Sequence, residues 1–420
     1  MLVFKFGGAS VKDANSVRNV AKILARYQND QILVVISAMG KTTNLMESLV
    51  DAYMSKSDFN PILEEVKSFH RTIIQDLIGE NSLQFYEVEN LFIELECTLD
   101  TDMIASGYDF VYDQIVPYGE LISTRIVSHF LNEIKVTNRW LDARNFVVTT
   151  AHHRRGRVNW ETTQALISKR AKKLIEKQLT ITQGFIGRTS ENASSTLGRE
   201  GSDYTAAIFA YCLDAISVTI WKDVPGVMNA DPKRMDNTSL LPDISFKEAI
   251  ELAYYGASVI HPKTIQPLLK KAIPLYVRSF IDEHAPGTIV QDHGLQHVVD
   301  VPCYIFKDDQ VMISLSSKDF AFIVEDNLSE IFSALAACGI QINLMQNTAI
   351  SFTICVNNDT RRIKKFLDKI GDEYLVDVME QLQLLTIFNP TNMSGLESIV
   401  GDKSEILEHR TKNALQLILQ

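Results

Sequence analysis

Cysteine is scarce and unpatterned in this chain: Cys97, Cys212, Cys303, Cys338 and Cys355 are scattered through 420 residues, odd in number and without a CxxC pair. Such spacing excludes a disulfide frame and a zinc site and reads as reduced core thiols of a cytoplasmic protein. No apolar run reaches the roughly 20 residues needed to cross a bilayer, and a first strand expected from Leu2 leaves no room for a signal peptide. Positive charge is also in deficit, with 41 lysines and arginines against 52 aspartates and glutamates, a net of −11. That balance argues against non-specific binding to nucleic acid or to an anionic membrane. Missing as well are a GxGxxG loop, a Walker lysine and any histidine or cysteine triad.

What the chain has is the 46% hydrophobic and 22% charged content of a globular protein, at a length that implies two or three domains. Leu2 to Phe6 reads as a buried strand with one cation, Lys5, followed directly by Gly7-Gly8-Ala9-Ser10. A helix to Tyr27, a second apolar strand from Gln31 to Ile36, and the small polar loop from Ser37 to Asn44 come next. Strand, small-residue loop and helix in alternation predict a mainly parallel sheet sandwiched by helices, with ligands at the carboxyl ends of the strands. Residues 45–115 carry a long helical pattern, expected to be an insertion or lid. Pro117-Tyr118-Gly119-Glu120 then opens a helix, where a carboxylate is more commonly a helix-dipole partner than a ligand. His152, His153, Arg154, Arg155 and Arg157 match no metal-ligand spacing and read as a solvated loop.

The central stretch runs from Leu197 to Ala207 and includes Gly198, Arg199, Gly201, Ser202 and Asp203. It is expected between a strand region (180–186) and a helix, a junction that makes an anion site from backbone N–H groups. Capping of that helix by Ser202 or Asp203 is the plainer alternative. A further strand, 216–221, leads into Lys222-Asp223 and on to Asp231 and Lys233, a composition suited to a triphosphate with Mg²⁺. His261, before Pro262, reads as a structural histidine. The segment 287–300 is the expected domain boundary. After it a β-α-β-β-α order from Val311 to Ile370 predicts a ferredoxin-like α+β unit, with a partial second set in 381–419. Three Gly-rich loops, cations and carboxylates without a covalent nucleophile are the needs of phosphoryl transfer, which works by positioning and charge neutralisation.

Five motifs resemble the aspartate kinase family: Lys5-Phe6-Gly7-Gly8-Ala9-Ser10, Tyr118-Gly119-Glu120, Gly184-Phe185-Ile186-Gly187, Gly198 to Thr205, and Trp221 to Val227. The likeness spans nearly the whole chain. It implies a catalytic domain over 1–290 and, over 301–420, two ACT-like regulatory units, the first about 309–375 and the second from the flanks and 376–420. It implies ATP- and Mg²⁺-dependent phosphorylation of the β-carboxylate of L-aspartate, the first step towards lysine, threonine, methionine and diaminopimelate. By the same resemblance Lys5 and Asp203 are catalytic. Ser37, Thr43, Glu120, Arg199 and Ser202 hold aspartate, with Arg199 on a carboxylate and Glu120 on the ammonium. Lys5, Gly7, Gly8, Ser10, Lys222, Asp223, Met228, Asp231, Lys233 and Ser258 serve ATP, and no residue is a dedicated metal ligand.

The chain departs from the common family pattern at Ala9, Lys222, Met228, Lys233 and Ser258, which bears on nucleotide affinity, and Lys263 is a substitute for the lysine replaced at 258. An amino-acid effector is expected near Ser314, Asp319, Asn327, Gln346, Asn347 and Thr348. The absence of a carboxylate at 346–349 speaks against lysine and leaves threonine, another effector or no regulation open. Edge-to-edge pairing of ACT units implies a homodimer or a dimer of dimers. The rivals are a glutamate or acetylglutamate kinase and a catalytically dead amino-acid sensor.

Overall fold

Two units carry the fold in the computed structural model, one of residues 1–227, 240–250 and 259–298, the other of 228–239, 251–258 and 299–420. The structure describes residues 1–420 except 81, 258, 259, 295, 297, 298, 319, 320, 372 and 391–395.

The first unit runs β1 (Leu2–Phe6), α1 (Ala14–Ala25), β2 (Ile32–Ile36), α2 (Thr42–Met54), α3 (Asn60–Ile78), α4 (Leu83–Asp100), α5 (Tyr108–Ile115) and α6 (Tyr118–Glu133). It continues with β3 (Asn138–Leu141), β4 (Val148–Thr149), α7 (Trp160–Leu166), α8 (Lys172–Ile175), β5 (Leu179–Gln183), β6 (Ile186–Thr189), β7 (Ser194–Thr196), α9 (Gly201–Leu213) and β8 (Ser217–Lys222). Then follow β9 (Asp243–Ser245), α10 (Phe246–Tyr255), α11 (Pro262–Lys270), β10 (Leu275–Ser279) and β11 (Thr288–Gln291); α10 is grouped with the second unit from Glu251 on. Eight strands make one sheet in the order β3-β5-β2-β1-β8-β10-β11-β9. The pairings from β3 through β10 are parallel. Its central strands are apolar because both faces are covered: all of β2 is buried, and Phe6 of β1 stacks on Trp221 of β8 at 6.0 Å between ring centroids.

The strand expected over 180–186 divides in two. β5 ends at Gln183, whose buried amide accepts from the Ala143 N–H (2.7 Å) and donates to Thr124 Oγ1 (2.8 Å). Phe185 then takes a left-handed φ of +69°, and the chain turns into a separate three-stranded sheet, β4-β6-β7. The Gly-rich stretch before α9 therefore follows β7 rather than β5.

The second unit runs β12 (Cys303–Ser317), α12 (Glu325–Cys338), β13 (Ile342–Asn347), β14 (Ser351–Asn357), α13 (Thr360–Ile370), β15 (Tyr374–Phe388), α14 (Leu396–Val400), β16 (Glu405–Arg410) and β17 (Ala414–Leu419). One antiparallel sheet, β13-β14-β12-β15-β17-β16, holds all six strands. β12 and β15 run through both halves, with register shifts between Lys307, Gln310 and Met312 marking the junction. One core gathers Val311, Ile313, Phe352, Ile354 and Phe366 under α12 and α13; another gathers Leu385, Ile387, Leu415 and Leu417. No helix among the described residues is long and apolar enough to cross a membrane.

Candidate active site

β5, β2, β1 and β8 are adjacent and parallel, so their carboxyl ends open along one stretch of sheet edge and their loops meet there. Lys5 is the only charged residue of β1 and is 8% exposed. Its Nζ lies 2.6 Å from Asp203 Oδ1, and Lys222, at the end of β8, reaches Asp203 Oδ2 at 3.8 Å. Asp203 belongs to the first turn of α9 and is itself buried. A carboxylate removed from water to this extent is tolerable only beside cations, which the two lysines supply.

Close approach of backbones sets this geometry. A Cβ on Gly184 would stand 2.4 Å from Ser202 Cβ, and one on Gly201 2.6 Å from the Phe185 ring, so the N-terminus of α9 seats directly on the turn after β5. A Cβ on Gly8 would stand 2.8 Å from the Gly40 carbonyl oxygen and 2.9 Å from that of Ala38. The loop after β1 is thereby laid on the loop after β2, and the Gly40 N–H donates to the Gly8 carbonyl at 3.0 Å. A Cβ on Gly7 would come within 3.2 Å of Lys5 Nζ. Bare backbone next to an ammonium is the arrangement that lets a phosphate approach closely.

Glu120 sits in the first turn of α6, 3% exposed. Its Oε1 accepts from the Ala38 N–H at 3.3 Å, while Oε2 is buried with no hydrogen-bond partner. Gly119 brings the helix in: a Cβ there would stand 3.2 Å from Ala38 Cβ and 3.3 Å from Thr42 Cγ2. Burial pushes the Glu120 carboxyl up to about 8. A buried oxygen of this kind is able to receive a cationic or donor group.

The remaining candidates divide. Ser37 is half-buried, its carbonyl accepting from Ser123 Oγ at 2.7 Å. Thr43 is half-buried in the first turn of α2, whereas its neighbour Thr42 is buried and donates to the Met39 carbonyl at 2.6 Å. Ser202 is buried against Gly184. Ser10 is buried, with Oγ 3.4 Å from the Trp221 carbonyl, tying the first loop to β8. Arg199 is exposed and without a hydrogen-bond or ion-pair partner among the described residues. Asp223 is exposed.

Met228, Asp231 and Lys233 belong to the second unit, where Asp231 accepts from the Lys233 N–H at 2.9 Å; Ser258 lies outside the described residues. Two groups escaped the sequence reading. The Ala38 N–H carries no side-chain signal. Glu200, at the N-cap of α9 with φ +53°, has a buried, unpartnered Oε2 and a carboxyl that burial raises although Lys222 opposes it. His261 caps α11 by accepting from the Lys263 N–H at 3.1 Å; burial and the neighbouring Lys263 and Arg199 hold its pKa below the usual histidine value.

In the second unit Ser314 pairs with Thr353 across β12 and β14 (2.9 Å), Asn327 accepts from the Val324 N–H (3.1 Å), and Thr348 accepts from the Ser351 N–H in the β13–β14 turn (3.0 Å). Gln346 and Asn347 are exposed on β13, and Asp319 lies outside the described residues.

Residues 1–279 match the model of the amino acid kinase family. The chain is 30% identical to the lysine-sensitive aspartokinase 3 of Escherichia coli K12, over 92% of this chain and 86% of that one. It is also 30% identical to a chloroplastic bifunctional aspartokinase/homoserine dehydrogenase of Arabidopsis thaliana, but spans 39% of that relative's length. The crystal structure of E. coli aspartokinase III in complex with aspartate and ADP (R-state) superposes with a TM-score of 0.85 at 26% identity, covering 100% of this chain and 96% of that one.

Proposed function

The chain belongs to the amino acid kinase family, on its aspartokinase branch, and we propose that it transfers the γ-phosphoryl group of ATP to the β-carboxylate of L-aspartate, giving 4-phospho-L-aspartate and ADP. The observation that carries this reading is Glu120, a buried carboxylate in the first turn of α6 with one unsatisfied oxygen, whose other oxygen accepts from Ala38 in the loop after β2 that packs against the loop following Lys5. An acceptor bearing an ammonium group satisfies that oxygen, and phosphate satisfies the cations.

In the reaction an oxygen of the β-carboxylate attacks the γ-phosphorus, the new P–O bond forms, and the bond to the β,γ-bridging oxygen breaks. The nucleophile is already an anion, so no general base is needed. Catalysis then consists of alignment and neutralisation. Lys5, held by Asp203, offsets charge on the transferring group together with the N–H groups of Gly7 and Gly8. Lys222 adds a second cation, and Ser10 keeps the first loop on β8. Glu120 takes the aspartate ammonium, Arg199 a carboxylate in two parallel hydrogen bonds, and Ser37, Thr43 and Ser202 border the acceptor. When bound, Mg²⁺ neutralises phosphate charge. In this proposal the ion would be held mainly by the phosphates of ATP.

Residues 301–420 serve in this proposal as a regulatory region of two ACT-like units that binds an amino acid near Gln346–Thr348, and the protein acts in the cytoplasm as a homodimer or dimer of dimers. ADP release from purified protein with ATP and Mg²⁺ tests the activity, using aspartate, glutamate and N-acetylglutamate as acceptors. Turnover with aspartate alone is expected; preference for another acceptor, or none with any, refutes the reading. Repeating the aspartate assay with lysine, threonine or methionine added identifies the effector.

A further inference from the structure

The histidine–arginine patch at 152–155 is left unused by the phosphoryl-transfer chemistry, yet it is not a solvated loop throughout. Its partner is Asp113 of α5, whose side chain is fully buried. Asp113 accepts from Thr196 Oγ1 at 2.7 Å, from His153 Nδ1 at 2.9 Å, and from the Arg154 N–H at 3.1 Å to either oxygen. The Arg154 guanidinium lies over the Tyr112 and Tyr108 rings, at 4.6 and 5.3 Å from their centroids, and pairs with Asp109 at 3.3 Å, so it is engaged rather than poised for phosphate.

Both backbone segments tied to Asp113 border the Arg199 loop. Thr196 is the last residue of β7, and its carbonyl accepts from the Gly156 N–H at 2.9 Å. The Arg154 carbonyl oxygen would stand 3.1 Å from a Cβ on Gly198, whose φ is +78°. Arg199 comes next and makes no hydrogen bond or ion pair among the described residues, although its charge is felt by Glu200 and His261. The place from which it projects therefore depends on the bend at Gly198.

We propose that Asp113 is a positioning residue for the acceptor site: by clamping Thr196 to the 153–154 turn it fixes the Gly198 bend and aims Arg199 at the acceptor carboxylate. This rests on the reading that Arg199 binds that carboxylate. The sequence separation hides the device, since the clamp joins residues 113, 153 and 196.

Steady-state kinetics on Thr196→Val, Thr196→Ser, Asp113→Asn, Arg199→Ala and Ser128→Ala test it, with thermal melts alongside. Ser128 donates a buried hydrogen bond to Asn138 elsewhere in the same unit and controls for stability alone. Thr196→Val is expected to raise the KM for aspartate about 3- to 10-fold, with kcat and the KM for ATP within about twofold. Asp113→Asn should do the same more strongly, Thr196→Ser should restore the parent value, and Ser128→Ala should lower the melting temperature without moving KM. If Arg199→Ala raises the KM for aspartate while Thr196→Val and Asp113→Asn do not, the clamp is structural and the proposal is overturned. If Arg199→Ala itself leaves that KM unchanged, the acceptor reading falls first and the proposal with it. Should Asp113→Asn fail to fold, the Thr196 pair decides.

Discussion

Replacing Glu120 with glutamine keeps the shape of the side chain and removes its charge. Because burial pushes the carboxyl up to about 8, most of the free protein is protonated there at pH 7. An aspartate ammonium needs the anion, so binding releases a proton, and the KM for aspartate should fall as pH rises, about tenfold per unit below the pKa, levelling above it. Between pH 6 and 8 the change is about 50-fold on that linkage. The glutamine variant should lose this slope. At pH 8 its KM should exceed the parent's by roughly 10- to 100-fold, the value of a charge-assisted hydrogen bond of about 1.5–3 kcal/mol; at pH 6, where the parent carboxyl is neutral, the gap should narrow. Stability runs the other way. An acid whose folded-state pKa is raised costs stability as pH climbs from its unfolded value of 4.5 to about 8, roughly 3 kcal/mol of it by pH 7. Glu120→Gln should therefore melt higher than the parent at pH 8 and near it at pH 4.5. Initial rates against aspartate at saturating ATP from pH 6 to 8.5, with melting curves in the same buffers, measure both. Parallel KM–pH profiles for the two proteins would refute the assignment of the ammonium to Glu120.

Lys5→Ala should lower kcat about 10²- to 10³-fold, the usual loss for one transition-state charge donor, and should also lower the melting temperature because Asp203 loses its 2.6 Å partner; near-normal turnover would reject the role. Arg199→Ala should raise the KM for aspartate with little change in kcat or melting temperature, since the side chain is exposed and unpartnered in the described structure; an unchanged KM removes it from the site. Gly8→Ala drives a methyl group to within 2.9 Å of two carbonyl oxygens, so the first loop must shift; kcat/KM for ATP should drop by about two orders of magnitude or more, and a parent-like value would mean the loop does not cradle phosphate.

How far the sequence carried the fold can be traced in single segments. β1 and β2 are short apolar runs ending in small residues, and their parallel pairing follows from the helix between them. The break between β5 and β6 was illegible because Phe185 and Ile186 continue the apolar pattern, and a left-handed φ at a phenylalanine has no compositional signal. β12 and β15 read as shorter strands because polar residues near the register shifts, Lys307 to Gln310 in β12 and Glu380-Gln381 in β15, interrupt the alternation that pairing imposes. β16 was missed for a related reason: Glu405 to Arg410 is polar, and only its partner β17 makes it a strand. The grouping of 228–239 and 251–258 with the second unit depends on packing across long sequence separations.

The site was legible where a charge interrupts an apolar context. Lys5 in β1 and Asp203, the only charged residue of α9, are expensive to bury alone, and their ion pair explains how the chain keeps both. Glu120 shows the limit of that logic. Three residues into a helix, an acid looks like a dipole partner, and nothing in its neighbours in sequence says that the loop at Ala38 packs against this helix turn at Gly119. Glu200 was passed over because its left-handed N-cap conformation and buried oxygen exist only once α9 is seated on the turn after β5. Lys5 and Lys222 share the one carboxylate of Asp203 in the folded chain, whereas Glu120 keeps an oxygen unpaired and Arg199, among the described residues, makes no hydrogen bond or ion pair. A fold selected for stability alone would have paired or removed that oxygen. On the proposed reading, one buried carboxyl group and one exposed guanidinium with open valences are what the molecule offers an acceptor carrying both an ammonium and a carboxylate.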